Sequence, residues 1–408
     1  MGLFSSTSNK KYIELLCDIG NRSVGVALVE YVFDKQTPNI IFSERLFSHS
    51  KREKNLENAL AVFTKDLNTL LYNALSHSVA KGIKPNKISC FYSSPWFISE
   101  THILKVKQLE PITFSQQILS KILKESEQNF LSSKKDQMGA LSRESLELTE
   151  RRVTSIKLNG YNTHNPIGKK AVEVEVSVFL SAILKDTLST VENSIKHIWQ
   201  GLNISHHTLP LALFAMLRNT LNTYGSFLLV NTASDITDVS LIHNDILLDT
   251  VSFPLGYANI VERIEKECNL DSELASSAFS MYTKNEIHGD HTENFGEAVK
   301  SIKKDWTLHF ENACSTLMKN TIIPPAVYIT APEKFLTFFE STIKDFGFGG
   351  YTTLDRELKV YPVHKDLFNK YITYSEVVYK DFFLETEALY TNLISLKEKK
   401  IIDNYILE

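Results

Sequence analysis

The chain has 408 residues, of which 43% are hydrophobic and 23% are charged, and its formal net charge is −4. This length and composition are typical of a globular protein of two or three domains with a large core, and they exclude a mainly disordered chain. Neither half carries a dense stripe of lysine and arginine, which argues against nucleic acid as a partner, and no stretch reaches the roughly 18 apolar residues of a membrane span.

Three β-type runs, a helical run and a fourth β-type run open the chain. They cover residues 12–18, 23–32, 39–47, 56–82 and 87–92. The first two runs flank the short turn Ile19-Gly20-Asn21-Arg22, which indicates a β-hairpin. In the helical run, apolar residues recur at helical spacing up to Gly82, a residue type that often ends a helix. The order is β-β-β-α-β, and we assign residues 1–98 to a first α/β half.

A segment with a different pattern follows. Its three β-type runs cover residues 101–108, 152–159 and 171–183, and its helical run covers residues 114–130. We interpret the polar stretch at residues 132–145 as a loop. The last strand, AVEVEVSVFLSAI, alternates apolar and polar residues at first, so one of its faces should be wet. We assign residues 99–185 to an inserted α+β subdomain. Two further helical runs, within 184–199 and 211–224, predict that residues 186–224 return the chain to the first half.

From Gly225 the β-β-β-α-β order appears a second time, although the residues themselves do not repeat. Three strand-like runs, a mainly helical region and a short strand lie at residues 226–230, 237–243, 246–253, 257–320 and 326–330. Two copies of one topology predict a duplicated α/β fold with a cleft between the halves, where ligands of open sheets tend to bind. We assign residues 225–408 to the second half, including another helix near its end.

Four stretches of the sequence carry a resemblance to one family. CDIGNRSVGVALVE resembles the first phosphate motif of actin-like ATPases, and FLLVNTASDITDVSLI resembles the second. SIKLNGYNTHNPIGKKAVEVEVSVFL is similar to the inserted subdomain of the FtsA/PilM group, which contains the bacterial cell-division protein FtsA and the type IV pilus protein PilM. FPLGYANI resembles the proline-glycine turn that follows the second hairpin in that group. The resemblance implies duplicated actin-like (ribonuclease-H-like) halves around a cleft, with an inserted α+β subdomain in the first half.

The resemblance also implies a nucleotide site. In the first hairpin Asp18 would hold Mg²⁺, usually through water, Gly20 would allow the tight turn, and a run of donors would face phosphate, namely Asn21, Arg22 and Ser23. In the second hairpin Thr237 and Asp238 match the end of the motif, Asp238 as a second Mg²⁺ contact, and Gly256 lies in the turn that follows. An alternative is that Asp18 and Gly20 only make a good β-turn, because both residue types favour turns.

The second hairpin departs from the family pattern. The leading aspartate and glycine-rich turn are replaced by NTASD at residues 231–235. Side chains therefore stand where backbone N–H groups would have to approach a phosphate. Asp235 adds a negative charge, and two unit charges ~4 Å apart repel by about 4 kcal/mol at an effective dielectric constant of 20.

The third element departs as well. Where the family has a glycine pair against adenosine, the sequence reads VYITAPEKF, with Ala331 and Pro332 at the glycine positions. Ser276 and Ser277 stand about where the family has a glutamate and a lysine. We therefore expect a degenerate site with weak or absent ATP binding, Mg²⁺ only if nucleotide binds, and no useful hydrolysis.

The predicted function is a cytoplasmic actin-like scaffold that binds the tail of a membrane protein or its own copies, in cell division or pilus assembly. The alternative is an ATP-binding, nucleotide-switched ATPase that forms filaments, as the family name implies. The tail KEKKIIDNYILE is too short for the linker and amphipathic anchor of FtsA, so attachment to the inner face of the membrane should go through a partner. The turn Asn165-Pro166-Ile167-Gly168 favours the division role, whereas the short tail and the altered site favour a PilM-like adaptor in the pilus role or a diverged paralogue.

One further cluster has residue types that bind metals. His288, Asp290 and His291 lie in IHGDHTENFGE. No predicted helix or strand spaces them rigidly, and a metal site needs several ligands in fixed geometry. We interpret the segment as a solvated loop.

Overall fold

The structure is a computed structural model, and it describes residues 11–32, 37–48, 56–138, 145–163, 165–284, 286, 292–318, 322–346, 358–375 and 378–402. His288, Asp290 and His291 lie outside these residues. The rest of the segment that we interpreted as a solvated loop, from Thr292 onward, is instead the start of a helix, Thr292–Leu317.

The elements follow one another in three groups. The first group is β1 (Lys11–Ile19), β2 (Ser23–Val32), β3 (Asn39–Phe47), α1 (Leu56–Lys81) and β4 (Lys87–Tyr92). The second is β5 (Phe97–Thr113), α2 (Gln116–Met138), β6 (Leu146–Leu158), β7 (Tyr161–Asn162), β8 (Lys170–Leu184), α3 (Lys185–Ile198), β9 (Ile204–Thr208) and α4 (Leu209–Thr220). The third is β10 (Phe227–Thr232), β11 (Thr237–His243), β12 (Ile246–Phe253), α5 (Tyr257–Cys268), α6 (Ser272–Thr283), α7 (Thr292–Leu317), β13 (Ala326–Thr330), α8 (Glu333–Phe346), β14 (Lys359–Pro362), β15 (Thr373–Tyr374) and α9 (Phe382–Ile402).

Two of the three sheets repeat one topology. The first sheet has the order β15-β3-β2-β1-β4-β9 and the second has the order β12-β11-β10-β13-β14. In both sheets the central strand, β1 or β10, pairs antiparallel with the strand that follows it, and that strand pairs antiparallel with the next one. On its other side the central strand pairs with a parallel strand, β4 or β13 respectively. The duplicated α/β fold predicted from the sequence is confirmed.

Burial on both faces of β1 follows from helices on both sides of the first sheet. Leu15, Cys17 and Ile19 pack with residues of α1 and α3. Leu16 lies on the opposite face, in a core that also contains residues of α4, α9 and β10. Because side chains alternate along a strand, Asp18 shares the face of Leu16. The carboxylate of Asp18 therefore points toward α9.

The inserted sheet has the order β5-β8-β6-β7 and one dry face. Val174, Val176 and Val178 of β8 are buried in a core shared with α2. On the other face Glu175 forms ion pairs with Lys105 at 2.9 Å and with Lys157 at 2.8 Å, and each lysine lies on one of the two neighbouring strands. The alternation in AVEVEVSVFLSAI thus gives the predicted wet face. The polar stretch predicted as a loop differs, because α2 continues to Met138.

The segment after α3 forms β9, which includes His206 and His207. It pairs with β4 and closes one edge of the first sheet. The Nδ1 of His207 lies 3.1 Å from Oε1 of Glu150 on β6, and the hydroxyl of Tyr390 on α9 donates to the same oxygen at 3.0 Å. This buried contact joins the inserted sheet, the first sheet and α9.

β15 and α9 lie on the first half, whereas the sequence analysis assigns all of residues 225–408 to the second half. β15 pairs with β3, at the edge of the first sheet. Leu384, Ala388 and Leu389 of α9 are buried in the core between the first sheet and α4. These apolar side chains cover a face of the sheet that would otherwise be wet. Among the described residues, no helix is both long and apolar enough to cross a membrane.

Candidate functional site

The first hairpin has the tight turn that the sequence predicts. The Gly20 N–H donates to the carbonyl of Ser23 at 2.9 Å, and the indole of Trp96 donates to the Gly20 carbonyl at 2.8 Å. A Cβ on Gly20 would lie 2.8 Å from the Ser23 carbonyl oxygen, so only glycine fits without a shift. The amide oxygen of Asn21 is buried and has no hydrogen-bond partner among the described residues.

Asp18, the predicted Mg²⁺ contact, is paired with an arginine. Arg45 of β3 reaches Asp18 Oδ2 through Nη2 at 2.6 Å, and its Nη1 donates to the Ser23 hydroxyl at 2.9 Å. The same guanidinium holds both oxygens of Asp381, at 2.5 and 2.8 Å, just before α9. Gly25 lies directly opposite Arg45 and leaves room for the guanidinium, because a Cβ on Gly25 would lie 2.8 Å from Arg45 Nη2.

Three carboxyl groups lie around the single positive charge of Arg45, namely those of Asp18, Asp381 and Glu387. Glu387 of α9 is fully buried beside Asp18. Burial raises the pKa of Glu387 well above its usual range, and the charge of Asp18 raises it further. Burial likewise raises the pKa of Asp18, although Arg45 opposes the shift. For Asp381, Arg45 and two backbone N–H groups outweigh the effect of burial and lower the pKa. The shifts therefore favour the neutral form at Glu387 and the ionised form at Asp381, which Arg45 contacts through both carboxylate oxygens.

The second turn lies against the start of α5. The N–H groups of Tyr257 and Ala258 donate to the carbonyls of Ala233 and Ser234, at 3.0 and 2.8 Å. A Cβ on Gly256 would lie 2.2 Å from the Ala233 oxygen, so glycine is needed for this close approach. The N-terminus of a helix is a common place for phosphate. Here two of its donors are already used by the turn itself.

Arg22 joins the two turns. Its Nη1 lies 3.1 Å from Asp235 Oδ1 in the second turn and 2.9 Å from Glu262 Oε1 on α5. The amide of Asn259 approaches the same oxygen of Asp235 at 3.4 Å. We call residues 20–22, 233–236 and 256–262 the turn junction. The structure thus brings the predicted phosphate donor Arg22 together with the carboxylate that the sequence analysis identified as unfavourable for phosphate.

Thr237 and Asp238 have partners inside the protein. The Thr237 hydroxyl donates to the carbonyl of Leu255 at 2.7 Å. Asp238 accepts a hydrogen bond from Ser252 at 2.6 Å, and Ser252 lies 3.0 Å from the hydroxyl of Ser94 in the first half. Burial raises the pKa of Asp238. The carboxylate of Asp238 therefore faces hydroxyl groups of the protein rather than open space.

The glycine-poor third element continues directly into a helix. β13 ends at Thr330, and the carbonyl of Pro332 accepts a hydrogen bond from Phe335 at 2.8 Å, at the start of α8. Ser276 and Ser277 lie on α6 and are half-buried. Neither feature restores the backbone donors that the family pattern has lost.

The groups that the resemblance assigns to Mg²⁺-ATP are engaged with other parts of the chain in this structure. Asp18 is held by Arg45, Arg22 is held by two carboxylates, and the start of α5 is held by the second turn. Among the described residues, no group of three or more histidine, cysteine, aspartate or glutamate side chains could hold a metal ion. Phosphate and a divalent cation would have to displace these internal partners.

Four charged residues that determine this chemistry were not predicted from the sequence: Arg45, Glu262, Asp381 and Glu387. Arg45 gives one signal, since it is a charged residue inside a strand that the duplicated topology places next to β2. Glu262 closely follows the FPLGYANI motif, whereas Asp381 and Glu387 lie far along the chain from any motif. The proximity of all three to Arg22 or Arg45 follows only from the tertiary fold.

No family model and no curated protein matches the chain. Among solved structures, the chain is similar to a chain of a PilM–PilN type IV pilus biogenesis complex, with 14% identity, a TM-score of 0.58, and coverage of 95% of this chain and 98% of that one. It also matches a Bacteroides thetaiotaomicron protein with an actin-like ATPase fold and unknown function, with 12% identity, a TM-score of 0.43, and coverage of 96% and 99%. A third match is the ethanolamine utilization protein EutJ from Carboxydothermus hydrogenoformans, with 10% identity, a TM-score of 0.42, and coverage of 86% and 85%. The chain has the actin-like ATPase fold.

Proposed function

We propose that this actin-fold chain is a scaffold of the FtsA/PilM type, which binds the cytoplasmic tail of a membrane protein at the inner face of the membrane. In this proposal the nucleotide site is degenerate and the chain works without ATP hydrolysis. The observation that carries it is the contact between Arg45 and Asp18, because a guanidinium already stands where a cation would be bound.

The charges at the site support a role without nucleotide. A divalent cation beside Arg45 would meet a buried positive charge, and a phosphate beside Asp235 would meet a negative one. At ~4 Å each unit pair repels by about 4 kcal/mol at an effective dielectric constant of 20. ATP binding would have to offset both terms and also break the contacts of Arg22 with Asp235 and Glu262.

The similarity to a PilM–PilN complex favours a pilus role over a division role. The Asn-Pro-Ile-Gly turn, which favoured division in the sequence analysis, has a structural explanation. Gly168 adopts a φ of +83° and its N–H donates to the carbonyl of Phe114 at 2.8 Å, while the Phe114 N–H donates back to Lys169. The turn thus fixes the backbone just before α2.

The test is recovery of a membrane partner in the native host, followed by a defined binding assay. A cross-linked, tagged chain should capture a membrane protein, and a synthetic peptide of that protein's cytoplasmic tail should bind the purified chain. We expect the same affinity with and without Mg²⁺-ATP. Capture of no membrane protein, or peptide binding that requires ATP, would overturn the proposal.

A further inference from the structure

Charged contacts connect the two halves of the protein at the turn junction. Arg22 belongs to the first half, and its two carboxylate partners belong to the second half, at 3.1 and 2.9 Å. The side chain of Arg22 is 14% exposed and that of Asp235 only 6%, whereas Glu262 is 36% exposed. Burial of this kind distinguishes the contact from ordinary surface ion pairs, many of which contribute nothing measurable.

Both ends of the contact are attached to ordered backbone. On one side, the Gly20 turn is closed by its own hydrogen bond and by Trp96. On the other side, the second turn is hydrogen-bonded to the start of α5, the helix that also carries Glu262. The position of the guanidinium is therefore determined by both halves at once, and separating the halves must break the contact.

We propose that Arg22 closes the two halves against each other in the place of a nucleotide, with the carboxylates of Asp235 and Glu262 standing where phosphate oxygens would otherwise meet the first turn. This inference rests on the proposed function, since it assumes a site that works without ATP. It adds that the closed form is the resting form of the protein. Closure should then depend on salt mainly through Glu262, the more exposed of the two carboxylates at 36%, because salt screens exposed charges more than buried ones.

The experiment measures the distance between the halves by single-molecule energy transfer. Cysteines introduced at the exposed positions Tyr72 on α1 and Leu308 on α7 carry the two dyes, in a background with Cys268→Ser. Arg22→Gln removes the charge, and Arg22→Lys keeps it but loses the planar fork. The matched control is Arg263→Gln, because Arg263 pairs with Glu267 and Asp305 within the second half.

For Arg22→Gln at low salt we expect the ratio of closed to open molecules to fall at least about fivefold, the upper range for exposed pairs. Arg22→Lys should give an intermediate fall, Arg263→Gln none, and 1 M NaCl should move the unmodified chain toward the Arg22→Gln distribution. Equal distributions for the unmodified chain and Arg22→Gln, with no effect of Mg²⁺-ATP, would overturn this inference alone. Closure that requires Mg²⁺-ATP would overturn both the inference and the proposed function.

Discussion

Replacing Arg45 with methionine tests the buried charge cluster. The side chains of Arg45, Asp18 and Asp381 are 3%, 2% and 6% exposed, so solvent cannot compensate the two carboxylates once the guanidinium is gone. Removing one partner of a buried pair costs about 3–5 kcal/mol, because the remaining charge is left without compensation. We expect a loss of that size in the unfolding free energy of the first half at pH 7. The loss should shrink as the pH falls and the carboxylates take up protons.

The assay is urea unfolding followed by tryptophan fluorescence. Trp96 and Trp199 lie in the core of the first half and Trp306 lies in that of the second, so a Trp306→Phe background reports on the first half. The control is Lys11→Met, which breaks an exposed pair with Glu30 and should cost no more than about 1 kcal/mol. If Arg45→Met costs as little as this control, the buried cluster does not stabilise the fold.

Two further predictions concern close packing and pH. Gly256→Ala should lower the free energy of unfolding by about 1–3 kcal/mol, because the new Cβ would lie 2.2 Å from a carbonyl oxygen. The control Gly296→Ala should cost little, because its Cβ would meet only the flexible end of Tyr282. Equal unfolding midpoints in urea for the two variants would contradict this prediction. Burial raises the pKa of Glu385 to about 7 from its usual 4.5, despite a hydrogen bond from Tyr374 at 2.6 Å. The folded state therefore keeps a proton that the unfolded state loses, and stability should fall by about 3 kcal/mol as the pH rises from 4.5 to 7. Glu385→Gln should remove that fall, and an unchanged pH dependence in urea unfolding would show the reasoning to be wrong.

The sequence was sufficient for the duplicated topology and for the first hairpin. Period-two patterns and turn residues are local signals, so the strands around Gly20 and the wet face of β8 could be read directly. The position of α9 could not be predicted, since its apolar residues fit any uncovered face and nothing local specifies the first sheet. The neighbours of Asp18 were missed for the same reason.

The second turn shows where a family pattern ends. The absence of glycine in residues 231–235 predicts a changed turn, and in the structure Asp235 of that turn pairs with Arg22. That Arg22, predicted as a phosphate donor, meets this charge could not be predicted, because the contact depends on how the two halves are placed and the two residues are 213 positions apart in the chain.

The most direct test of the account is calorimetric titration of the purified chain with ATP and Mg²⁺, beside a variant in which glycines replace the altered residues of the second turn and of the β13–α8 connection. We predict no heat of binding and no thermal shift for the unmodified chain. Micromolar binding by the unmodified chain would contradict the account, since Arg22 and Arg45 would then have released their internal carboxylates to a nucleotide.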